Sequence, residues 1–344
     1  MRIPEFLQPG GAVGFIAPSF GVTIEPYKSA FNSTLDKISE MGYTPVLGPN
    51  CYKGDGIGIS TKPEDCAKEL MEMYEDDAAD VIISVGGGEL MCEILPYMDF
   101  ERIKNAKPKW YMGYSDNTNF TFLSVTLADT AAVYGPNAGG LGMDPWDVSI
   151  LDAWELLCGN RPVTYGYEKW EKESLKSEEN PTAPLNLTEV SKHIFYPSAD
   201  RVRGIEMEGR LIGGCMDCLA NLCGTEFDKV SDFLERYKDD GFIWFLESCD
   251  LNPFAMRRAV WEMKYAGWFK YVKGFMIGRP LHFGEEMMGC DQYNAITGQL
   301  AEFGVPIVMD LDIGHISPVM PLITGAKAKV KAIKEEISIE YLPE

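Results

Sequence analysis

Histidine is scarce in this sequence, and long apolar runs are missing from it. Only three histidines occur among 344 residues. The longest apolar runs, such as 81–85 and 242–246, fall far short of the roughly 20 residues that a helix needs to cross a bilayer. The first ten residues contain no apolar core of signal-peptide length. We therefore expect a cytoplasmic protein without a membrane span.

Basic residues are also in short supply. Lys and Arg total 31 against 52 Asp and Glu, which gives a formal net charge of −21. Nucleic acids and anionic membranes bind basic surfaces, so both are excluded as main partners. Nine cysteines at irregular spacing fit reduced thiols in a cytosol better than a disulfide framework. The chain length predicts roughly two globular domains.

Strands and helices are expected to alternate in the first half of the chain. Short apolar runs that end in Pro, Ser or Gly predict strands, and the segments between them have helical spacing. This alternation is typical of a parallel sheet with crossover helices, whose functional sites lie at the carboxyl ends of the strands. The predicted strands are 12–17, 44–47, 81–85 and 109–113, and the predicted helices are 26–42, 62–77 and 118–129.

A charged stretch separates this half from the next. Residues 168–181 are rich in Glu and Lys, lack periodicity and end at a proline. We expect an N-terminal domain at 1–165, a linker or specificity segment at 166–200 and a C-terminal domain at 201–344. The elements predicted in the second half are strands at 242–247, 274–278 and 305–309, an amphipathic helix at 257–270 and a closing hairpin at 326–341.

The sequence Gly113-Tyr-Ser-Asp-Asn117 stands where a predicted strand gives way to a helix. A serine on such a tight turn exposes its hydroxyl beside backbone N–H groups that can stabilise an oxyanion. The hydrolase pattern has a second glycine where this chain has Asn117. The alternative is a helix cap, in which Ser115 or Asp116 accepts hydrogen bonds from the first helical N–H groups.

A nucleophilic serine needs a base, and three histidines make the search short. His193 lies in a polar stretch and is expected at the surface. His282 follows Gly278-Arg-Pro280 and could line a cleft. His315 follows a predicted strand, in a loop that can present a functional side chain. A solvated loop histidine is the alternative at that position.

The base in turn needs an orienting carboxylate, and Glu247 is the candidate. It ends the apolar run 242–246, where a carboxylate without a partner is costly to bury. Orienting a histidine would supply that partner, whereas a strand-end glutamate turned to water is the alternative. The candidate order is Ser115, Glu247 and His315, so the nucleophile lies in the first half and the acid and base in the second.

Three glycines, Gly86, Gly87 and Gly88, follow a predicted strand but lack the spacing of a dinucleotide-binding fingerprint. A backbone N–H from this loop could complete an oxyanion hole with the N–H of Asp116. The alternative is a tight turn that only glycine tolerates.

The remaining notable residues favour structural roles. Cys215, Cys218 and Cys223 resemble a metal-ligand spacing, but no second pair of matched spacing exists, so we expect core cysteines and no metal site. Four tryptophans in apolar patterns are expected in the core, namely Trp154, Trp244, Trp261 and Trp268.

Several short motifs resemble the L,D-carboxypeptidase family of serine peptidases, which includes the microcin C self-immunity proteins. They occur in family order and extend over nearly the whole chain. The motifs are Ala17-Pro-Ser19, Gly87-Gly88 with Leu95-Pro-Tyr-Met-Asp99, Pro108 to Thr118, Tyr134-Gly-Pro136, Gly209-Arg-Leu-Ile-Gly-Gly214, Phe245-Leu-Glu-Ser248, Gly278-Arg-Pro280 and Asp312-Ile-Gly-His315.

The resemblance implies a Ser–Glu–His triad, which falls on Ser115, Glu247 and His315. It implies oxyanion donors at the backbone of Asp116 and of Gly88 or its neighbour Gly87. The implied α/β fold has an N-terminal parallel-sheet domain and a C-terminal, mostly β domain, with the active site in the cleft between them. It also implies a homodimer that needs no metal or organic cofactor.

The implied reaction is hydrolysis of the L,D-amide bond before a terminal D-amino acid in peptidoglycan tetrapeptides. A peptidyl-nucleotide amide, cleaved as by an immunity protein, is the alternative substrate. The run Glu89-Leu-Met-Cys92 departs from many relatives and leaves the substrate open. Two further hypotheses are an esterase-like α/β-hydrolase, whose His-Gly-Gly loop is not found, and a non-catalytic binding protein.

Overall fold

The computed structural model describes residues 1–344 and divides into two compact units. The segment 166–200, expected to be a linker or specificity segment, is shared between both units and contains three short strands. No helix is long and apolar enough to cross a membrane. The first unit comprises residues 1–161, 173–186 and 321–323, and the second comprises 162–172, 187–320 and 324–344.

Eleven helices and eighteen strands are numbered here in chain order. The helices are α1 (Tyr27–Glu40), α2 (Pro63–Glu75), α3 (Phe100–Asn105), α4 (Thr118–Thr126), α5 (Ala138–Leu141), α6 (Val148–Leu157), α7 (Asp200–Arg203), α8 (Met216–Leu222), α9 (Val230–Arg236), α10 (Pro253–Tyr265) and α11 (Gln292–Leu300). The strands are β1 (Ala12–Ile16), β2 (Thr44–Leu47), β3 (Val81–Ser84), β4 (Trp110–Gly113), β5 (Ala132–Tyr134), β6 (Val163–Tyr165), β7 (Lys169–Glu171), β8 (Leu187–Val190), β9 (Ile194–Tyr196), β10 (Ile205–Cys215), β11 (Phe242–Glu247), β12 (Val272–Gly278), β13 (Glu286–Met287), β14 (Cys290–Asp291), β15 (Ile307–Leu311), β16 (Leu322–Thr324), β17 (Lys327–Ile333) and β18 (Glu336–Tyr341).

The first unit is built on a six-stranded sheet with the order β16-β5-β4-β3-β1-β2. All pairings among β1 to β5 are parallel, and helices connect the strands, which confirms the expected α/β class. Strands β3 and β4 are buried along their whole length because helices cover a parallel sheet on both faces. The loops that leave β1, β3, β4 and β5 therefore lie at one edge of this sheet.

The second unit contains an eight-stranded sheet with the order β6-β18-β17-β10-β11-β12-β15-β9. Its centre, β10 to β12 and β15, is parallel, and antiparallel strands flank the centre on both sides. The predicted hairpin at 326–341 is confirmed as β17 and β18. The expected mostly β character of this region is confirmed as well.

Two side chains contradict the expectations from sequence. His193, expected at the surface, is fully buried. The polar residues that flank it in sequence predicted an exposed side chain, but burial at this position depends on contacts with residues distant in sequence. Trp261, expected in the core, is half exposed on α10. The buried face of that helix carries Met256, Val260 and Met263, and position 261 lies off this helical stripe.

Candidate active site

Ser115 lies on the turn between β4 and α4, at the start of a short 3-10 segment, Ser115–Asn117. Its φ angle is 65°, in the left-handed region that non-glycine residues rarely adopt. Such strain persists only where the surroundings enforce it, and it is characteristic of a serine raised on a nucleophile elbow. One enforcing contact is the hydrogen bond that the Ser115 backbone N–H donates to the hydroxyl of Tyr134, at 3.3 Å.

Ser115 and Asp116 do not occupy the N-cap position of α4, which was the alternative role for this turn. The N-cap position of α4 is Asn117, not Ser115 or Asp116. The Asn117 side chain instead serves as a tie, since its amide donates a 2.9 Å hydrogen bond to the carbonyl of Gly86. Its carbonyl oxygen accepts a hydrogen bond from the hydroxyl of Tyr111. The residue that replaces the second glycine of the hydrolase pattern thus joins the turn to the glycine loop.

The glycine loop 86–88 passes directly beside the serine. A Cβ atom at Gly87 would lie only 3.2 Å from the Ser115 Oγ, so a side chain there would crowd the hydroxyl. The backbone N–H of Phe20 donates a 2.9 Å hydrogen bond to the Gly87 carbonyl. Because a trans peptide directs its carbonyl and its N–H to opposite sides, the Gly88 N–H points away from Phe20.

Glu247 and His315 are paired in the second unit. The Oε2 atom of Glu247 lies 2.8 Å from the Nδ1 atom of His315. The Glu247 side chain is 0% exposed and the His315 side chain is 12% exposed. The strand-end glutamate therefore does not face water, and the histidine has the carboxylate partner that a general base requires. Because Nδ1 faces the carboxylate, Nε2 lies on the opposite side of the ring, where a general base exchanges its proton.

The backbone before His315 is shaped to permit this pairing. Gly314 has a φ of 107°, and a Cβ atom there would lie 2.3 Å from the Glu247 Oε2. Only glycine allows the loop to approach the carboxylate so closely. Two residues earlier, the buried Asp312 forms an ion pair with the buried Arg279. Asp312 also accepts a 2.7 Å hydrogen bond from the backbone N–H of Tyr167.

Asp310 gives the same loop a second anchor. Its φ of 64° is unusual for a residue in a strand, β15. Its carboxylate accepts hydrogen bonds from the hydroxyl of Tyr293 at 2.6 Å and from the amide of Gln292 at 2.9 Å. Burial raises the pKa of Asp310, and the two donors partly offset that effect. These contacts hold the backbone in the strained conformation as the strand ends.

Asp217 is a supporting residue that sequence reasoning missed. Its carboxylate accepts hydrogen bonds from the backbone N–H groups of Cys249 at 3.1 Å and of Asp250 at 2.8 Å. Those residues lie two and three positions after Glu247, so Asp217 fixes the loop that leaves β11. The available signal was a carboxylate in the first turn of α8. Sequence reasoning considered only the cysteines of this segment, which it assigned to the core, and gave Asp217 no role.

The cysteines of that segment are free thiols, and the structure contains no cluster of three or more His, Cys, Asp or Glu side chains suited to a metal ion. Burial raises the pKa of the Cys223 thiol to about 12. Cys249 lies beside His315; burial raises the pKa of its thiol, and the histidine partly offsets the rise. His282, the remaining histidine, pairs with Glu285 at 3.1 Å and is largely exposed.

Known proteins resemble this chain over nearly its full length. It is 26% identical over 346 residues to the microcin C7 self-immunity protein MccF of Escherichia coli, covering 98% of this chain and 95% of that protein. It is 24% identical over 354 residues to a probable murein peptide carboxypeptidase of Bacillus subtilis, covering 98% and 94%. The solved structure of MccF in complex with aspartyl sulfamoyl adenosine superposes with a TM-score of 0.82 at 24% identity, covering 99% of this chain and 98% of that one.

Two family models divide the chain in the same manner as its sheets. The N-terminal domain model of the LD-carboxypeptidase family, peptidase family S66, matches residues 13–135, which include β2 to β5 and all of β1 except its first residue. The C-terminal domain model matches residues 208–330, which include β11, β12 and β15. The chain therefore belongs to the LD-carboxypeptidase family of peptidases.

Proposed function

We propose that this peptidase uses Ser115, Glu247 and His315 as a catalytic triad to hydrolyse an amide bond. Ser115 Oγ attacks the scissile carbonyl while His315 takes the hydroxyl proton. His315 then delivers that proton to the leaving amine, and water, activated by the same imidazole, releases the acyl group from the serine. Glu247 orients the imidazole and stabilises its charged form.

The observation that carries the proposal is the left-handed φ of 65° at Ser115. A helix cap has no need of that strain, whereas a nucleophile on an elbow does. The 2.8 Å pairing of Glu247 with His315 supplies the matching acid–base half. Neither feature would be expected of a protein that only binds peptides.

We assign the oxyanion donors to the backbone N–H groups of Asp116 and Gly88. Asp116 follows the nucleophile, which is the usual position of one donor. Between the two glycine candidates, Gly88 is favoured over Gly87. The Gly86 carbonyl accepts from Asn117, so the Gly87 N–H points away from the serine turn, whereas the Gly88 N–H is directed away from Phe20.

As substrate we propose the L,D-amide bond before a terminal D-amino acid in a peptidoglycan tetrapeptide. The murein peptide carboxypeptidase among its relatives supports this choice. A peptidyl-nucleotide amide is the second candidate, because MccF is 26% identical and a solved MccF structure holds aspartyl sulfamoyl adenosine. The run 89–92 beside the glycine loop and the segment 166–200 are the places where the two substrates would be distinguished.

The test is product analysis by mass spectrometry on two substrates in parallel, a murein tetrapeptide and a peptidyl-adenylate analogue. We expect release of D-alanine from the tetrapeptide by the wild-type chain and none by Ser115→Ala. Cleavage of only the nucleotide substrate would transfer the assignment to detoxification. Cleavage of neither by folded protein would contradict both substrate proposals.

The domain limits 1–165 and 201–344, the homodimer and the cytoplasmic location stay predictions. Sedimentation of the purified chain would measure the oligomeric state directly. Fractionation of the producing cell would test the location.

A further inference from the structure

The carboxylate of Asp116 lies at the centre of a buried hydrogen-bond cluster beside Ser115. Asp116 is only 3% exposed. Its Oδ2 atom accepts hydrogen bonds from the Ser19 hydroxyl at 2.5 Å and from the Met91 backbone N–H at 2.9 Å. Its Oδ1 atom accepts a 3.0 Å hydrogen bond from the Asn119 amide. None of these contacts belongs to the triad or to the backbone oxyanion donors.

The partners of this carboxylate hold the glycine loop from its far side. Met91 begins the 3-10 segment Met91–Tyr97, so its N–H fixes the point where the loop ends. The Ser19 hydroxyl fills the space beside Gly88, where a Cβ atom would lie 2.0 Å from the Ser19 Oγ. The next residue, Phe20, donates to the Gly87 carbonyl. Asp116 thus restrains both the end of the loop and the residues against which it rests.

The beginning of the loop is tied to the same turn, through the hydrogen bond from Asn117 to the Gly86 carbonyl. Gly86, where the loop begins, and Met91, three residues beyond Gly88, are therefore bonded to the two residues that directly follow Ser115. The loop and the serine turn cannot shift relative to each other unless at least one of these bonds breaks. The direction of the Gly88 N–H relative to the Ser115 hydroxyl depends on this arrangement.

We propose that the Asp116 carboxylate, acting with the Ser19 hydroxyl, is a positioning residue that holds the oxyanion-donating glycine loop in register with Ser115. The expected effect on kcat rests on the proposed function. The restraint of the glycine loop by Asp116 does not depend on that function. Because an oxyanion exists only in the transition state and the intermediate, loss of register lowers kcat and leaves KM nearly unchanged.

The chemistry explains why a carboxylate is needed here. All three contacts described above are donated to Asp116, and a carboxylate offers acceptor lone pairs on both oxygens without a competing N–H or O–H donor. In Asp116→Asn one oxygen becomes an NH2 group, which faces either Asn119 or the pair formed by Ser19 and Met91. The substitution preserves shape and volume, so it removes part of the hydrogen bonding without leaving a cavity.

The experiment compares Asp116→Asn, Ser19→Ala and their double variant with the wild-type full chain. Ser124→Ala is the matched control, since it removes another buried hydroxyl of the first unit, one that donates to the Thr130 carbonyl at 3.0 Å. For each protein, kcat and KM are measured on the substrate that the wild type cleaves. Amide exchange of residues 86–91 and thermal unfolding are recorded in parallel.

We expect Asp116→Asn to lower kcat about a hundredfold, since displacement of about 1 Å costs that much in a catalytic site. Ser19→Ala is expected to lower kcat about tenfold, because Met91 still bonds to the carboxylate. The double variant should be no worse than Asp116→Asn, since both act through one loop. Exchange in the loop should rise at least about tenfold, whereas Ser124→Ala should change neither kcat nor loop exchange.

Unchanged kcat together with unchanged exchange would overturn the proposal, and so would an equal loss of kcat in Ser124→Ala. If Asp116→Asn does not fold, Ser19→Ala and its exchange decide the matter alone. A wild-type chain without Ser115-dependent cleavage would refute the proposed function, while faster exchange in the variants would still support the restraint on the loop.

Discussion

The serine turn of the first unit and the histidine loop of the second both depend on a buried carboxylate. The two carboxylates are stabilised by different kinds of partner. Asp116 receives three hydrogen bonds from uncharged donors. Asp312 faces a guanidinium, that of Arg279. Removing one donor from Asp116 leaves two, whereas removing Arg279 leaves an unpaired charge in the interior. The first arrangement is suited to fix direction, whereas removing one partner of the second is expected to be strongly destabilising.

The largest effect expected in either half is that of the nucleophile. Ser115→Ala should lower kcat by about 10⁶-fold, because the acyl-enzyme route is lost. The variant should still bind substrate. Its unfolding temperature should equal that of the wild type or lie slightly above it, because alanine at position 115 bears no more backbone strain at a φ of 65° than serine does. Turnover assays with tetrapeptide and a thermal melt measure both quantities. Residual activity within tenfold of wild type would contradict the role of Ser115.

The corresponding change in the second unit is Glu247→Gln. It keeps the volume of a fully buried side chain and its distance to His315, but it favours the wrong tautomer of the imidazole. We expect kcat to fall by about 10⁴-fold with little change in KM. The pH–rate profile of the variant is the decisive measurement. An unaltered profile with unaltered kcat would show that Glu247 is only structural.

Loss of the ion pair between Arg279 and Asp312 should lower the stability of the protein and not only its rate. Arg279→Met is expected to lower the free energy of unfolding by about 3–5 kcal/mol, because Asp312 is left buried without its cation. Arg102→Met is the matched control, since its pair with Glu75 is exposed and its loss should change the free energy of unfolding much less. Urea unfolding of both variants measures the difference. Equal losses of unfolding free energy in the two variants would show that the buried pair of Arg279 with Asp312 is no more important for stability than an exposed pair.

A smaller effect on stability is expected when the pH is lowered, because His193 is buried. Burial, together with the nearby cation of Arg279, lowers the pKa of His193 to about 4. The unfolded chain takes up a proton near pH 6.5 and the folded chain does not, so stability is lost as the pH falls from 6.5 to 4. The loss amounts to about 3 kcal/mol, from about 1.4 kcal/mol per pH unit.

His193→Leu removes this titration and serves to isolate it. The difference in unfolding free energy between wild type and variant should shift by about 3 kcal/mol in favour of the variant between pH 7 and pH 4. Other buried acids titrate in both proteins and cancel in the comparison. A difference that is constant with pH would show that the pKa of His193 is the same in the folded chain as in the unfolded chain.

The sequence predicted local structure well wherever apolar runs ended at Pro or Gly, as at 81–85 and 109–113. It also indicated Ser115, Glu247 and His315 as candidates from scarcity and position. It could not predict the pairing of Arg279 with Asp312 or the contacts of Asp116 with Ser19 and Met91. Those contacts join residues far apart in the chain, and no local periodicity records them.

The two errors have the same origin. His193 has polar neighbours in sequence, yet the fold buries it completely, close to the cation of Arg279. Trp261 lies in an amphipathic helix, yet its position is off the buried face that carries Met256, Val260 and Met263. Composition near a residue predicts burial only when the residue also lies on the inward stripe, and that stripe is set by the partner surface.

The position of β16 at the edge of the first sheet has a consequence for biosynthesis. Ribosomes complete residues 12–134, which form β1 to β5, long before they reach residues 322–324. At about 5–20 residues per second, the edge of β5 stays unpaired for some ten seconds or more while the intervening chain is made. An open strand edge invites pairing with other nascent chains. A fragment that stops near residue 161 would keep that edge open permanently, so we expect it to aggregate when expressed alone.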